Sequence, residues 1–282
     1  MKSEQQDRYG WDDPELVSVI DDLPFWSGPF GMRLLDAVRY RPGIRALDIG
    51  FGLGFPLVEL AMRLGASARV SGIDPWKAGH ERTLRKLRIA GVRNVELVEG
   101  EAESMPFKND TFDLIVSNNG INNVRDIRRT FAECSRVSRM NAQFVLTYNT
   151  AGTFVEFYDA FRSACRESGM ADADRVIDDH IAHKRPPVEM MRRALEDAGF
   201  RINALREDSF RYRFSNGSAM LGYFPIRLAF LPAWESLLPE HLRVEIFRRT
   251  EEQLNHQSDP ANGFSTTVPF ATIDCEKIKR IS

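Results

Sequence analysis

The residues able to do chemistry sit in three short stretches. In the first, Asp48-Ile49-Gly50-Phe51-Gly52-Leu53-Gly54, one carboxyl group and three alternating glycines follow an apolar run, residues 44–49. The run is too short for a surface helix and fits a strand buried on both faces of a parallel sheet. Glycine opens backbone angles closed to other residues and leaves room for a ligand against the main chain. Pro56 follows where the first turn of a helix accepts proline, and Leu57, Leu60, Ala61 and Leu64 share one face of a helix over residues 55–64. Such a strand, turn and helix make a pocket at the carboxyl end of the first strand, where open α/β sheets bind ligands. The nicotinamide fingerprint G-x-G-x-x-G faces a pyrophosphate. Here the spacing is G-x-G-x-G, with an acid two positions before the first glycine, which favours a ligand without a pyrophosphate.

The second stretch, Val70-Ser71-Gly72-Ile73-Asp74-Pro75-Trp76, is another apolar strand ending in an acid. A carboxylate at the tip of a second strand is placed to accept hydrogen bonds from two ribose hydroxyls, and the alternative for Asp74 is a cap on the helix that starts near Lys77. Trp76, behind Pro75, offers a flat face to an adenine ring or, equally, a filler for the core. In the third, a strand from Val95 reaches Gly100-Glu101-Ala102-Glu103-Ser104-Met105-Pro106-Phe107, and a fourth strand begins at Phe112-Asp113 and ends at Asn118.

The ordered set D-x-G-x-G-x-G, a strand-end acid, G-E-A-E-x-x-P-F and F-D-x-x-V resembles the class I S-adenosylmethionine (SAM) dependent methyltransferases. Within them it is similar to the ubiquinone, menaquinone and sterol methylating group, over roughly residues 44–200. The resemblance implies SAM as cofactor. It also implies that Glu101, with aspartate usual at that position, reads the adenine amino group, that the Ala102 N–H reads a ring nitrogen, and that Asn118 holds the methionine part. Asp48, Gly50, Gly52, Gly54, Asp74, Pro75, Trp76 and Glu103 complete the candidate cofactor site. Where the group ends its fourth helix with a lysine-proline-glycine-glycine turn, this chain has Arg139-Met140-Asn141-Ala142.

The elements that must position these residues read as an α/β fold. The expectation is a Rossmann-like, seven-stranded doubly wound sheet with the last strand antiparallel, an N-terminal helical extension and a helical insertion before the last strand. The division expected is an extension or cap over residues 1–43, the SAM-binding core over 44–214, the insertion over 215–262, and a last strand and tail over 263–282. The helix after Trp76 should run over residues 77–90 with Leu84, Leu87 and Ile89 inward and Gly91 as its stop. Val124, Ile127, Phe131, Cys134 and Val137 mark an amphipathic helix, residues 143–148 a fifth strand, and residues 153–168 a helix. Leu195-Glu196-Asp197-Ala198-Gly199-Phe200 resembles the family's opening to the sixth strand. Phe210, Tyr212 and Phe214 alternate with Arg211 and Arg213 as in a half-wet strand. Pro269 lacks a donor and should force a bulge or a strand end.

Tyr9, Trp11, Phe25, Trp26 and Phe30 either fold over the methionine end of the cofactor or plug the flank of the sheet. The insertion is broken at Pro225, Pro232 and Pro239 into two apolar pieces bearing Met220, Leu221, Tyr223, Phe224, Ile226, Leu228, Phe230, Leu231 and Trp234. It reads as a lid or as the surface of a homodimer.

A chain of 282 residues, 43% apolar and with net charge −2, has the size of one large domain with additions and no basic footprint for a nucleic-acid partner. The absence of a long apolar run or an amino-terminal signal pattern argues for a cytoplasmic protein and against a membrane partner. Cys134, Cys165 and Cys275 have no clustered spacing, and His180 and His183 lack a third ligand, so no metal site is expected. The expected activity is methyl transfer to a small, apolar or aromatic acceptor. A non-catalytic SAM-binding module and a nicotinamide-dependent oxidoreductase are the alternatives. Tyr148, Tyr158, Glu156 and His180 are the candidate bases, none marked out by its sequence context.

Overall fold

The computed structural model describes residues 12–21 and 26–279; Tyr9, Trp11 and Phe25 lie outside them. In chain order the first elements are α1 (Pro14–Asp21), α2 (Ser27–Ala37), β1 (Arg45–Ile49), α3 (Leu57–Leu64), β2 (Arg69–Asp74), α4 (Lys77–Ile89), β3 (Val95–Glu99) and β4 (Phe112–Asn118). A short 3-10 turn (Ile121–Asn123) leads to α5 (Ile127–Val137), β5 (Ser138–Asn149), α6 (Val155–Glu167), α7 (Ala173–Lys184), α8 (Val188–Asp197) and β6 (Phe200–Phe214). Four helices follow, α9 (Gly217–Gly222), α10 (Phe224–Ala229), α11 (Leu231–Glu235) and α12 (Glu240–His256), before β7 (Phe264–Lys277).

The seven strands form one sheet in the order β3-β2-β1-β4-β5-β7-β6. β1 to β5 pair in parallel, and β7 pairs antiparallel with β5 from Gln143↔Glu276 to Asn149↔Phe270. This is the Rossmann-like arrangement with a reversed last strand. Period-two alternation along the strands feeds two cores. Leu47, Ile49, Ile115, Phe144 and Leu146 enter one with Phe131 and Leu195, while Ala46, Leu114, Val116 and Val145 enter the other with Leu35, Leu57 and Leu60.

The chain divides into two compact units. A sheet unit takes the described residues up to Asn149, Pro186–Asp208 and the chain from Phe270, and a helical unit takes Thr150–Arg185 and Ser209–Pro269. In the helical unit α6 packs on α12 and on α7. Its centre is Trp234, fully buried and stacked on Phe157 with ring centres 3.8 Å apart. Met220, Ile226 and Trp234 of the insertion are buried. These three side chains pack within the unit, whereas Leu221, Tyr223, Phe224, Leu228, Phe230 and Leu231 are half-buried.

Several elements differ from the expectation. α4 turns Gly79, Thr83 and Leu87 inward, whereas Leu84 is 55% and Ile89 76% exposed. Close approach selects that face, because a Cβ on Gly79 would lie 2.5 Å from the Gly52 carbonyl oxygen. The insertion forms four helices rather than two pieces, with Pro225 and Pro232 in the first turns of α10 and α11 and Pro239 ahead of α12. β7 runs on through Pro269, but its ladder with β5 ends at Phe270, so the missing N–H falls just past that end. The 170–186 segment is largely the helix α7, and β6 is one strand of 15 residues.

Within β5, where the register with β4 shifts between Ser138 and Gln143, Asn141 takes φ 64° in place of glycine. Lys277, almost fully buried, donates from Nζ to the Ser135 and Ser138 carbonyl oxygens at 2.5 and 2.7 Å. It thereby closes the end of α5, where the Ser135 carbonyl also accepts from the Ser138 N–H. Lys277→Ala is expected to lower the unfolding free energy by about 2–3 kcal/mol, since two buried acceptors lose a charged donor. Urea unfolding of the two proteins checks this, and a difference below about 0.5 kcal/mol would mean that water replaces the ammonium. Among the described residues no helix is long and apolar enough to cross a membrane.

Candidate functional site

The glycine turn and the strand ends enclose a cavity of about 420 Å³ in the sheet unit. That is within the range of pockets that hold cofactor-sized molecules. Its walls come from the ends of β1, β2 and β4, the loop behind β3, and the start of α2. Gly50, at φ +75°, bonds through its N–H to the Ile73 carbonyl at 2.9 Å. Gly120 packs so closely that a Cβ on it would lie 2.8 Å from the Ile49 carbonyl oxygen. A Cβ on Gly52, at φ +51°, would meet no protein atom within 4 Å, and Gly52 is on the cavity wall.

Asp74 organises this turn. Its Oδ2 accepts from the Gly52 N–H and its Oδ1 from the Trp76 N–H, both at 2.8 Å. The N-cap of α4 is Trp76, with no side-chain cap bond, so Asp74 pins the loop rather than capping the helix. From α4, Lys86 Nζ reaches the Leu53 carbonyl at 2.8 Å and His80 Nε2 lies 2.8 Å from the Asp74 carbonyl.

The structure brings Gly50, Gly52, Asp74, Pro75, Trp76, Glu101, Ala102, Glu103 and Asn118 onto one cavity wall. Asp48 and Gly54 are not on it. Gly54 serves packing, since a Cβ there would meet Thr83 at 3.0 Å. Asp48 is fully buried beneath the turn, and neither carboxyl oxygen has a hydrogen-bond partner. Burial, with the like charge of Asp74 second, pushes its carboxyl up to about 8. It is therefore a neutral acid at pH 7.

The neighbouring polar groups have partners that fix their orientation. Glu101 pairs with Arg125 at 2.9 Å on the exposed rim, an arrangement worth little by itself. Glu103 Oε1 accepts from the Arg125 N–H at 2.7 Å and ties the loop to the approach of α5. Asn118 donates to the Ser27 carbonyl at 3.1 Å and accepts from Thr147 Oγ1 at 2.9 Å. The bond to Ser27 fastens the start of α2, so Trp26 and Ser27 line the cavity. Phe30 instead is buried, 4.9 Å from Phe270, as a plug in the flank.

Asn119, Gly120, Asn123, Val124 and Arg125 also face the cavity and were missed. The available signal was Asn118-Asn119-Gly120-Ile121-Asn122-Asn123, a run of turn formers at the end of an apolar strand. Asn119, at φ 57°, donates its N–H to the Thr147 carbonyl and accepts from the Asn149 N–H.

None of the four candidate bases is fully exposed. Tyr148 is buried with its hydroxyl unpartnered, and burial raises its pKa. In the helical unit Glu156 accepts from Thr266 Oγ1 and from the Thr267 N–H and Oγ1. Tyr158 accepts from Trp234 and Arg185. His180 is pushed down to about 4 by burial and then by Arg185, Lys184 and His183. Among the described residues no group of three His, Cys, Asp or Glu side chains gathers as a metal would require.

Residues 47–146 match the family model described as "Methyltransferase domain". The demethylmenaquinone methyltransferase of Bacillus cytotoxicus is 29% identical over 126 residues, 45% of this chain and 52% of the relative. That of Staphylococcus aureus is 30% identical over 129 residues, 44% and 51%. The chain thus spans about half the length of the curated relatives it matches. Among solved structures, a putative methyltransferase from Bacillus halodurans superposes with a TM-score of 0.61 at 16% identity, over 89% of this chain and 100% of that one. The YcgJ protein from Bacillus subtilis gives 0.58 at 19% identity, over 89% and 98%. These two likenesses show the fold.

Proposed function

We propose that this chain, whose residues 47–146 match a methyltransferase domain, transfers a methyl group from SAM to a small, apolar or aromatic acceptor. One observation carries the reading. A glycine turn without side chains and a β2 carboxylate, Asp74, face the same cavity as the Glu101-Ala102-Glu103 loop and Asn118. Those residue types fit SAM. The open space above Gly52 accommodates a ligand against the main chain, and Asp74 has the acceptor oxygens that ribose hydroxyls need. Trp76 offers its face to the adenine, Glu101 and the Ala102 N–H read its edge, and Asn118 with Ser27 holds the methionine end.

When bound, SAM supplies an electrophilic methyl on a sulfonium. The protein's part is then to align the acceptor and exclude water. Trp26 and Ser27 on the cavity wall support the cap assigned to residues 1–43. The names of the curated relatives, which act on demethylmenaquinone, agree with an aromatic acceptor. The proposal includes a cytoplasmic location and the core, insertion and tail boundaries at 44–214, 215–262 and 263–282.

That Tyr148 is buried, Glu156 and Tyr158 are hydrogen-bonded and His180 is half-buried favours a second reading, a SAM-binding module without catalysis. Calorimetric titration with SAM, its demethylated product S-adenosylhomocysteine (SAH) and NADH tests both. Binding of SAM and SAH but not NADH is expected, and turnover of a panel of phenols and quinols separates enzyme from module. Binding of NADH alone would overturn both readings.

A further inference from the structure

The helical unit buries a cation that no carboxylate among the described residues answers. Arg185, just behind α7, is 3% exposed. Its Nη1 donates to the Tyr158 hydroxyl at 3.2 Å, and its guanidinium carbon lies 5.4 Å from the centre of the Tyr158 ring. Its Nε is buried and has no hydrogen-bond partner. The acids of α7 are engaged elsewhere: Asp174 with Arg162 and Arg166, Asp178 with Arg162, and Asp179 with Arg175. A cation–π contact attracts a guanidinium but does not neutralise it, and a buried charge ordinarily has an opposite one beside it.

Tyr158 adds a second unanswered donor. Its oxygen accepts twice, from Arg185 Nη1 and from Trp234 Nε1 at 3.0 Å. A hydroxyl has two lone pairs and one proton, so both acceptor positions are taken. The proton remains, and no acceptor for it is found among the described residues. The Arg185 Nε–H and the Tyr158 O–H are thus two buried donors, tied together by a hydrogen bond, on a site that carries one positive charge. Phe157 and Trp234, packed against each other and against the Tyr158 ring, supply an apolar flank.

We propose that Arg185 and Tyr158 form a binding site for the carboxylate of a small molecule whose remainder is apolar or aromatic. The charge count favours a monoanion. His180, its ring 6.3 Å from that of Tyr158, is held neutral at pH 7 by burial and by the cations beside it, while Lys184 and His183 are exposed. A phosphate dianion would leave a second negative charge buried without a partner. The site lies within the helical unit and does not rest on the reading of the preceding subsection.

The test uses the whole chain without SAM. Thermal unfolding and calorimetry are run with benzoate, 3-phenylpropanoate and hexanoate, each against its neutral amide, and with phenyl phosphate. At least one carboxylate should bind saturably and raise Tm by roughly 2 °C or more, with its amide inert. In Arg185→Met the shift should vanish while the unliganded protein unfolds no earlier than wild type, because an apolar side chain of similar volume removes the unpaired charge. Tyr158→Phe should weaken binding by roughly tenfold.

No carboxylate-dependent shift in the wild type, an equal shift with the amides, or a shift surviving in Arg185→Met would each overturn the proposal. Stronger binding of phenyl phosphate than of every carboxylate would overturn the carboxylate in favour of a phosphate ligand. SAH titrated into the same samples reports separately. SAH binding without carboxylate binding defeats this inference alone, and the converse defeats the methyltransferase reading alone.

Discussion

Asp74→Ala is expected to weaken SAM and SAH binding at least a hundredfold. In the protein the Asp74 carboxylate takes the N–H groups of Gly52 and Trp76 at 2.8 Å each, so its removal frees the glycine turn as well as deleting the proposed ribose acceptor. Hydrogen bonds to a charged group contribute about 1.5–3 kcal/mol each, and losing two corresponds to at least about 3 kcal/mol, or more than a hundredfold in Kd. Asp74→Asn keeps the shape and one acceptor oxygen and should cost roughly tenfold. Gly52→Val gives an independent route to the same loss. It places a side chain in the open space of the cavity at φ +51°, a backbone angle that valine adopts only under strain. Calorimetry with SAH on all three variants, with circular dichroism to establish that they fold, measures this. An affinity within threefold of wild type for Asp74→Ala would end the assignment of Asp74 to the cofactor.

Asp48→Asn should stabilise the protein, and increasingly so as pH rises. The Asp48 carboxyl is buried, unpartnered and raised to about 8, first by burial and then by Asp74. A carboxyl raised in the folded state binds a proton that the unfolded chain has released between about pH 4 and pH 8. Its contribution to stability is therefore fully present below pH 4 and is lost as pH rises through 8. Asparagine has the same shape and no charge to expel, so it escapes that loss. The gap between variant and wild type should widen across pH 5–8 to the order of several kcal/mol and flatten above pH 8. Urea unfolding at pH 5, 6, 7 and 8 gives the two curves; parallel curves would show that Asp48 is hydrated or paired in solution.

The strands and the ligand-side turn were legible in the sequence because both are local. A buried parallel strand needs only a short apolar run, and the positive φ angles of Gly50, Gly52 and Gly54 are demands that glycine meets within three residues. For the same reason the alternation of Phe210, Tyr212 and Phe214 with Arg211 and Arg213 matched burial along β6. Where the fold uses close approach rather than apolar bulk, the pattern misled. Leu84 and Ile89 read as inward, but α4 turns Gly79 and Thr83 to the sheet unit's interior because Gly79 lets the helix sit against the Gly52 carbonyl. Hydropathy does not register a glycine chosen for what it leaves out.

The sequence by itself determined the α/β class and nine of the residues on the cavity wall, since spacing along one strand–turn–helix dictates where each side chain begins. Tertiary structure alone decided three things. It buried Asp48 beneath the turn instead of on the wall, because the side chain of a central strand follows the pleat and here meets no donor. It brought Trp26 and Ser27 to the cavity through the Asn118 amide, a contact between residues 91 apart in the chain. And it gathered Tyr158, Arg185 and Trp234 from three separate segments around one hydroxyl oxygen. Hydrogen bonds of that sequence separation carry no periodic signal, so only the folded chain displays them.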